Sequence, residues 1–189
     1  MRVRFKKIAI LLAILSVCGG TLIFADSASQ KVRVIVNGSE LDDGGIIVDG
    51  KTYLPLRQMG NSLNALVDWD NQSKKATINK PNVHMILFQD KVIFGNVDKG
   101  NKYTFNVFSQ IDNLKTDISA VKVSITDPYG TEKVIQSQNV SITKDNFWYR
   151  TEDIKYNFEF AGKYAVRFYL KTSPSDDWTV VSEKLITSQ

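Results

Sequence analysis

From Val83 to the C-terminus the chain is a succession of strand-length runs: KVIFG, KYTFNVFS, SAVKVSITD, EKVIQSQ, NFWYR, YNFEF, GKYAVRFYLK and WTVVSEKLI. Apolar side chains recur in them at every second residue. Tyr103, Phe105 and Val107 therefore share one face, as do Val121, Val123 and Ile125, and again Tyr164, Val166, Phe168 and Leu170. A period of two is the pleat of a β-strand and is incompatible with a helical face. Between the runs stand Asp, Asn, Gly and Pro, as in DPYG and SPSDD, which supply turn conformations. A region of this pattern about a hundred residues long predicts an antiparallel β-sandwich, placed at residues 84–189.

The stretch FAGKYAVRF refines that expectation. In immunoglobulin-like sandwiches a tyrosine entering a strand from a corner bonds nearby backbone through its hydroxyl, and Tyr164 stands in that position. Two residues on, where antibody domains carry a cysteine, this chain has Val166. The expectation therefore extends only to the broad immunoglobulin-like architecture.

Residues 30–80 follow a different plan. KVRVIVNG alternates Val32, Val34 and Val36 before a turn at Asn37-Gly38. GGIIVDGKTYLPL is two apolar runs joined by Asp49-Gly50, a pair that tolerates the positive φ of a tight hairpin. Pro55 then closes a strand and opens a helix, because its missing N–H would have no partner in a first turn. Leu56, Met59 and Leu63 recur at helical spacing and predict one short helix over LRQMGNSLN with a single apolar face. LVDWD and KKATIN read as strands joined by NQS, with Trp69 expected to pack on the helix. Strands, helix and strands predict a small α+β domain, an antiparallel sheet with one helix, followed by the all-β immunoglobulin-like sandwich. Pro81-Asn82 is the expected linker.

The N-terminus reads as an export signal. A basic Met1–Lys7 precedes a charge-free run from Ile8 to Phe24 and then the small and polar ADSASQ. The apolar run is short for a membrane span, so residues 1–25 are expected to be a cleaved signal peptide, with a retained anchor the alternative. Cys18 loosely suits a lipid-attachment box, but Val17 stands where that box wants a small residue and the apolar run continues past the cysteine. Without residues 1–25 the chain has no cysteine, so an exported protein must rely on core burial and not on disulfides. Arg2, Arg4, Lys6 and Lys7 account for the whole excess charge of +4. The remainder carries 20 charges of each sign, which removes the argument for a nucleic-acid partner.

Taken in order, VNG, IIVDGKTYLPLR, the short helix, ALVDWD and ATI resemble the copper amine oxidase N-terminal-like domain, or stalk domain, with Tyr53, Pro55, Arg57 and Trp69 as its signature positions. The resemblance covers about 50 residues, from Val32 to Ile78. It implies a small α+β module found in exported and wall-associated proteins of Gram-positive bacteria. Amine oxidase chemistry belongs to a separate, larger domain with three copper-binding histidines and a quinone made from tyrosine. This chain has one histidine, His84, and its Asn157-Phe158-Glu159-Phe160 lacks the tyrosine phenol. That segment reads as strand residues ahead of Tyr164.

No catalytic, cofactor-binding or metal-binding residue is expected. Asp68, Asp70 and Asn71 suggest a calcium loop only superficially, since Ser73 replaces its glycine and no glutamate closes it. Arg57 is expected to pair within the sheet. The expected function is an exported, non-catalytic cell-envelope protein, secreted or wall-associated, acting as an interaction or structural module. The alternative is binding of carbohydrate or wall polymer through exposed aromatics of the sandwich, with Trp148, Tyr169 and Trp178 as the candidate surface. Expected partners are an envelope protein or a wall polymer, with membrane attachment only through an uncleaved signal or a lipidated Cys18.

Overall fold

The computed structural model describes Gln30–Gln189. The expected signal peptide at 1–25 and Cys18 lie outside the described residues. Among the described residues no helix is long and apolar enough to cross a membrane.

Two compact units are present. The first comprises the described residues up to Val34 together with Asp42–Leu54. It is a three-stranded antiparallel sheet in which β4 (Gly45–Val48) lies between β1 (Gln30–Val32) and β5 (Lys51–Tyr53). Asp49 and Gly50, at φ 50° and 71°, form the tight turn that the sequence predicts for this hairpin. Gly44 has no substitute, because a Cβ there would lie 2.4 Å from the Val32 carbonyl oxygen.

The second unit contains Ile35–Leu41 and everything from Pro55 onward. Its first elements are the minimal hairpin β2 (Ile35–Val36) and β3 (Ser39–Glu40), turned by Asn37 and Gly38, both with positive φ. Helix α1 (Leu56–Ser62) follows Pro55, whose carbonyl accepts the Met59 N–H at 3.0 Å. The helix ends in a left-handed cap at Asn64, φ 55°. The Asn64 N–H reaches the Asn61 carbonyl at 3.0 Å and the Ala65 N–H the Gly60 carbonyl at 2.8 Å, so the last turn's acceptors are used. This cap shortens the predicted helix by two residues. Its apolar stripe is also less covered than the spacing implies: Leu56 and Leu63 remain exposed and Gly60 is the buried helical residue. Strands β6 (Leu66–Asp70) and β7 (Lys75–Asn79) form the next hairpin, and β6 crosses the helix so closely that Val67 touches Gly60.

The sandwich has two sheets. One runs β14 (Phe147–Arg150), β11 (Lys102–Asp112), β8 (Asn82–Gln89), β9 (Val92–Ile93), with β15 (Ile154–Asn157) also paired to β11. The other runs β10 (Asn96–Val97), β17 (Thr179–Ser188), β16 (Gly162–Lys171), β12 (Ile118–Thr126), β13 (Glu132–Ile142). Strand β8 is not among the runs picked out from sequence, and Asn82 already belongs to it. Lys80 and Pro81 alone separate β7 from β8.

One core fills the space between the sheets. Leu87, Phe105, Val107 and Ile111 meet Val121, Val123, Ile125, Val166, Phe168 and Leu170, all essentially inaccessible to water. Leu66 of β6 joins the same cluster. The three alternating faces predicted from sequence are thus the inner faces of β11, β12 and β16, with Tyr103 at a partly covered end. At Asn106–Val107, β11 changes partner from β15 to β14. There Thr151 takes over the pairing: its hydroxyl accepts the Val107 N–H and its own N–H donates to the Val107 carbonyl, both at 3.0 Å. The buried Asn106 amide bridges Asp153 at 2.7 Å and Arg150 at 3.0 Å, so both ends of the amide are partnered where the pairing changes.

Candidate functional site

The aromatic surface expected on the sandwich is not one surface. Trp148 lies on β14 opposite Gln110, and because Tyr149 turns inward the indole stands 74% exposed on the outside of the first sheet. Tyr169 lies on β16 of the second sheet, where its neighbours Phe168 and Leu170 enter the core. The core thus separates Trp148 from Tyr169. Tyr169 is itself buried, at 7%, which corrects its assignment as an exposed ligand-contacting ring. Its cross-strand neighbour Lys122 places an ammonium 3.9 Å from the ring centre. Its hydroxyl donates to Glu132 at 2.8 Å and accepts from Ser124 at 3.2 Å. Burial raises the Tyr169 pKa, while the Ser124 and then the Tyr169 hydroxyl lower that of Glu132. Trp178 is half-buried, with the Lys122 and Lys171 ammoniums 5.3 and 5.2 Å from its ring. Cation–π contact of this kind anchors a ring as readily as it prepares a ligand platform.

The signature residues of the N-terminal segment fall in different places. Tyr53 is half exposed on β5 of the first unit. Pro55 opens α1 and Tyr164 is fully buried at the β16 corner. Trp69 is 49% exposed, so about half of the side chain stays in water. Its cross-strand partner is Ala76, too small to cover an indole. Arg57 is exposed on the first turn of α1 and makes no hydrogen bond or ion pair with another described residue, so the expected pairing within the sheet is absent.

Arg57 and Trp69 instead line a cavity of about 380 Å³ with Leu66, Val67 and Asp68 on one side and Thr172, Ser175, Asp176, Asp177 and Thr179 on the other. None of the last five was singled out from sequence. Thr172, Ser175, Asp176 and Asp177 belong to the turn between β16 and β17, and Thr179 opens β17; the turn reads as an ordinary loop until the fold brings it to β6. That loop is held by its own bonds. The Asp176 N–H donates to the Ser173 carbonyl at 3.1 Å, the Thr172 hydroxyl to the Asp176 carboxylate, and the Lys171 ammonium to the Pro174 carbonyl at 3.2 Å.

Copper chemistry does not fit these residues. His84 is exposed on β8 across from Gln110. Among the described residues no three His, Cys, Asp or Glu side chains converge to hold a metal ion. Asp70 is engaged in a turn, accepting the Gln72 and Ser73 N–H groups at 2.8 and 3.3 Å, and its pKa is lowered first by the Ser73 hydroxyl. Phe158 has left the strand that ends at Asn157, which corrects its assignment to strand. It is fully buried against Tyr103, Phe105, Tyr156 and Tyr164.

Comparison with known proteins adds two likenesses. A CARDB domain from Pyrococcus furiosus, solved in complex with di-metal ions, is 13% identical with a TM-score of 0.35, over 65% of this chain and 99% of that chain. No curated protein matches. The model of the copper amine oxidase N-terminal domain matches residues 35–142, from the first residue of β2 to the last of β13. With that match spanning more than half its length, the chain belongs to the copper amine oxidase N-terminal domain family.

Proposed function

We propose that this is an exported, non-catalytic cell-envelope protein of a Gram-positive bacterium that serves as an interaction or structural module and has no amine oxidase activity. The observation that carries the reading is its membership of the family that forms the non-catalytic part of copper amine oxidases. The residues agree with it: the one histidine of the chain is exposed, and a buried phenylalanine stands where a quinone would need a phenol. A signal peptide at 1–25, a stalk-like domain at 30–80 and a sandwich at 84–189 belong to the same proposal. So does its location, secreted or held at the wall.

Cell fractionation with N-terminal sequencing tests export, and the expected product lacks about the first 25 residues. Loading with copper and assaying hydrogen peroxide release from benzylamine tests the absence of chemistry. Recovery of the protein only from the cytoplasm, or peroxide formation above the copper blank, refutes the corresponding half of the proposal. Retention on intact walls, or of a defined envelope protein by the immobilised chain, supports the module role.

A further inference from the structure

The cavity beside Trp69 has a chemistry of its own. Its wall carries one cation, Arg57, three carboxylates, Asp68, Asp176 and Asp177, the hydroxyls of Thr172, Ser175 and Thr179, and a half-exposed indole. We infer that it binds an uncharged oligosaccharide, with Trp69 stacking on a sugar ring, Arg57 donating to ring substituents and the carboxylates accepting from hydroxyls. This rests on the interaction-module reading and names its ligand class.

The mixed charge decides the class. An anionic ligand would meet three carboxylates, and a cationic one would have to displace or accommodate Arg57. An uncharged polyol uses both, since each hydroxyl donates one bond and accepts two, while guanidinium only donates and carboxylate only accepts. Arg57 has no other partner among the described residues, so its donors do not have to be taken from an existing bond. The apolar face of a pyranose needs a flat ring to cover it, and Trp69, half exposed in the cavity wall, is the ring available. The volume, about 380 Å³, lies within the usual range for a small-ligand pocket. The loop that supplies Thr172, Ser175, Asp176 and Asp177 is tied by the bonds described above, which lowers the ordering cost of binding.

The test is calorimetric titration of the full-length protein with neutral tetramers of N-acetylglucosamine, cellulose and maltose, beside the cationic glucosamine tetramer and an anionic galacturonate tetramer. The expected result is saturable binding of at least one neutral tetramer, weakened about tenfold or more by Trp69→Ala and by Arg57→Ala. Trp69→Phe retains part of the affinity, and Trp148→Ala, on the far sheet, leaves it unchanged. Thermal unfolding of each variant shows that the exposed positions can be changed without loss of the fold. The inference is overturned if no neutral tetramer saturates at up to about 10 mM, if Trp69→Ala binds like the parent, or if a charged tetramer binds more tightly. Overturned in this way while the parent chain is still retained by walls or by an envelope protein, the sugar site falls and the module reading stands. Loss of all retention removes both.

Discussion

The hydroxyl of Tyr164 accepts the Phe160 N–H at 2.9 Å and lies 3.2 Å from the Phe160 carbonyl oxygen, to which it donates. One fully buried side chain therefore satisfies both backbone groups of a residue that precedes the β16 corner. Burial raises its pKa, because a phenolate there would lose its hydration. Tyr164→Phe keeps the ring contacts with Tyr156 and Phe158 and removes only the bonds. The expected loss is about 1–3 kcal/mol, for two backbone groups left without a partner, read as a lower urea midpoint with unchanged slope.

Gly60 and Val67 form a second pair whose behaviour runs against local propensity. In an isolated helix Gly60→Ala would stabilise by up to about 1 kcal/mol. Here the added Cβ would sit 2.2 Å from Val67 Cγ2, and valine is stiff at χ1. Gly60→Ala is expected to destabilise, with overpacking costing about 1–3 kcal/mol. Val67→Ala in the same chain removes the clash, so a double-mutant cycle by chemical denaturation should show strong coupling.

Phe158 and Trp148 provide opposite cases of a large aromatic residue. Phe158→Ala opens a cavity among four rings and is expected to cost about 3–5 kcal/mol. Trp148→Ala removes a side chain that is mostly in water and should change stability by no more than about 0.5 kcal/mol. Thermal melts of the two variants side by side check both.

Acid should act partly through Glu132. Its pKa is lowered by the Ser124 and Tyr169 hydroxyls and then by the charge of Lys122, 3.8 Å away. A folded-state pKa below the unfolded one stabilises the fold above the unfolded value, and the gain is lost as pH falls through the folded value. The stability difference between the parent and Glu132→Gln should therefore be present at neutral pH and shrink as pH falls through the acid range below the ordinary glutamate value. Denaturation midpoints across that range measure it. A constant difference would show that Glu132 acts through packing alone.

Much of this architecture is legible in local patterns. Period-two alternation placed the inner faces of β11, β12 and β16, because a strand with one buried face must repeat every second residue whatever it packs against. Asn37-Gly38 and Asp49-Gly50 announced their hairpins, since few other pairs accept positive φ twice. The position of Tyr164 after its turn announced its backbone bonds.

Other features exist only in three dimensions. Alternation puts Tyr169 on the outer face of its strand but says nothing of Lys122 lying across the ring, which depends on the pairing of β12 with β16. Helical spacing marked Leu56 and Leu63 as core, yet a seven-residue helix crossed at Gly60 by β6 leaves them uncovered. Trp69 and Asp176 are over a hundred residues apart, and neither neighbourhood hints at the other. Sequence by itself determined strands and turns, because those follow from near neighbours and composition. Which aromatic stands open beside which carboxylate was decided by tertiary structure alone, since a cavity wall is assembled from side chains that only the fold brings together.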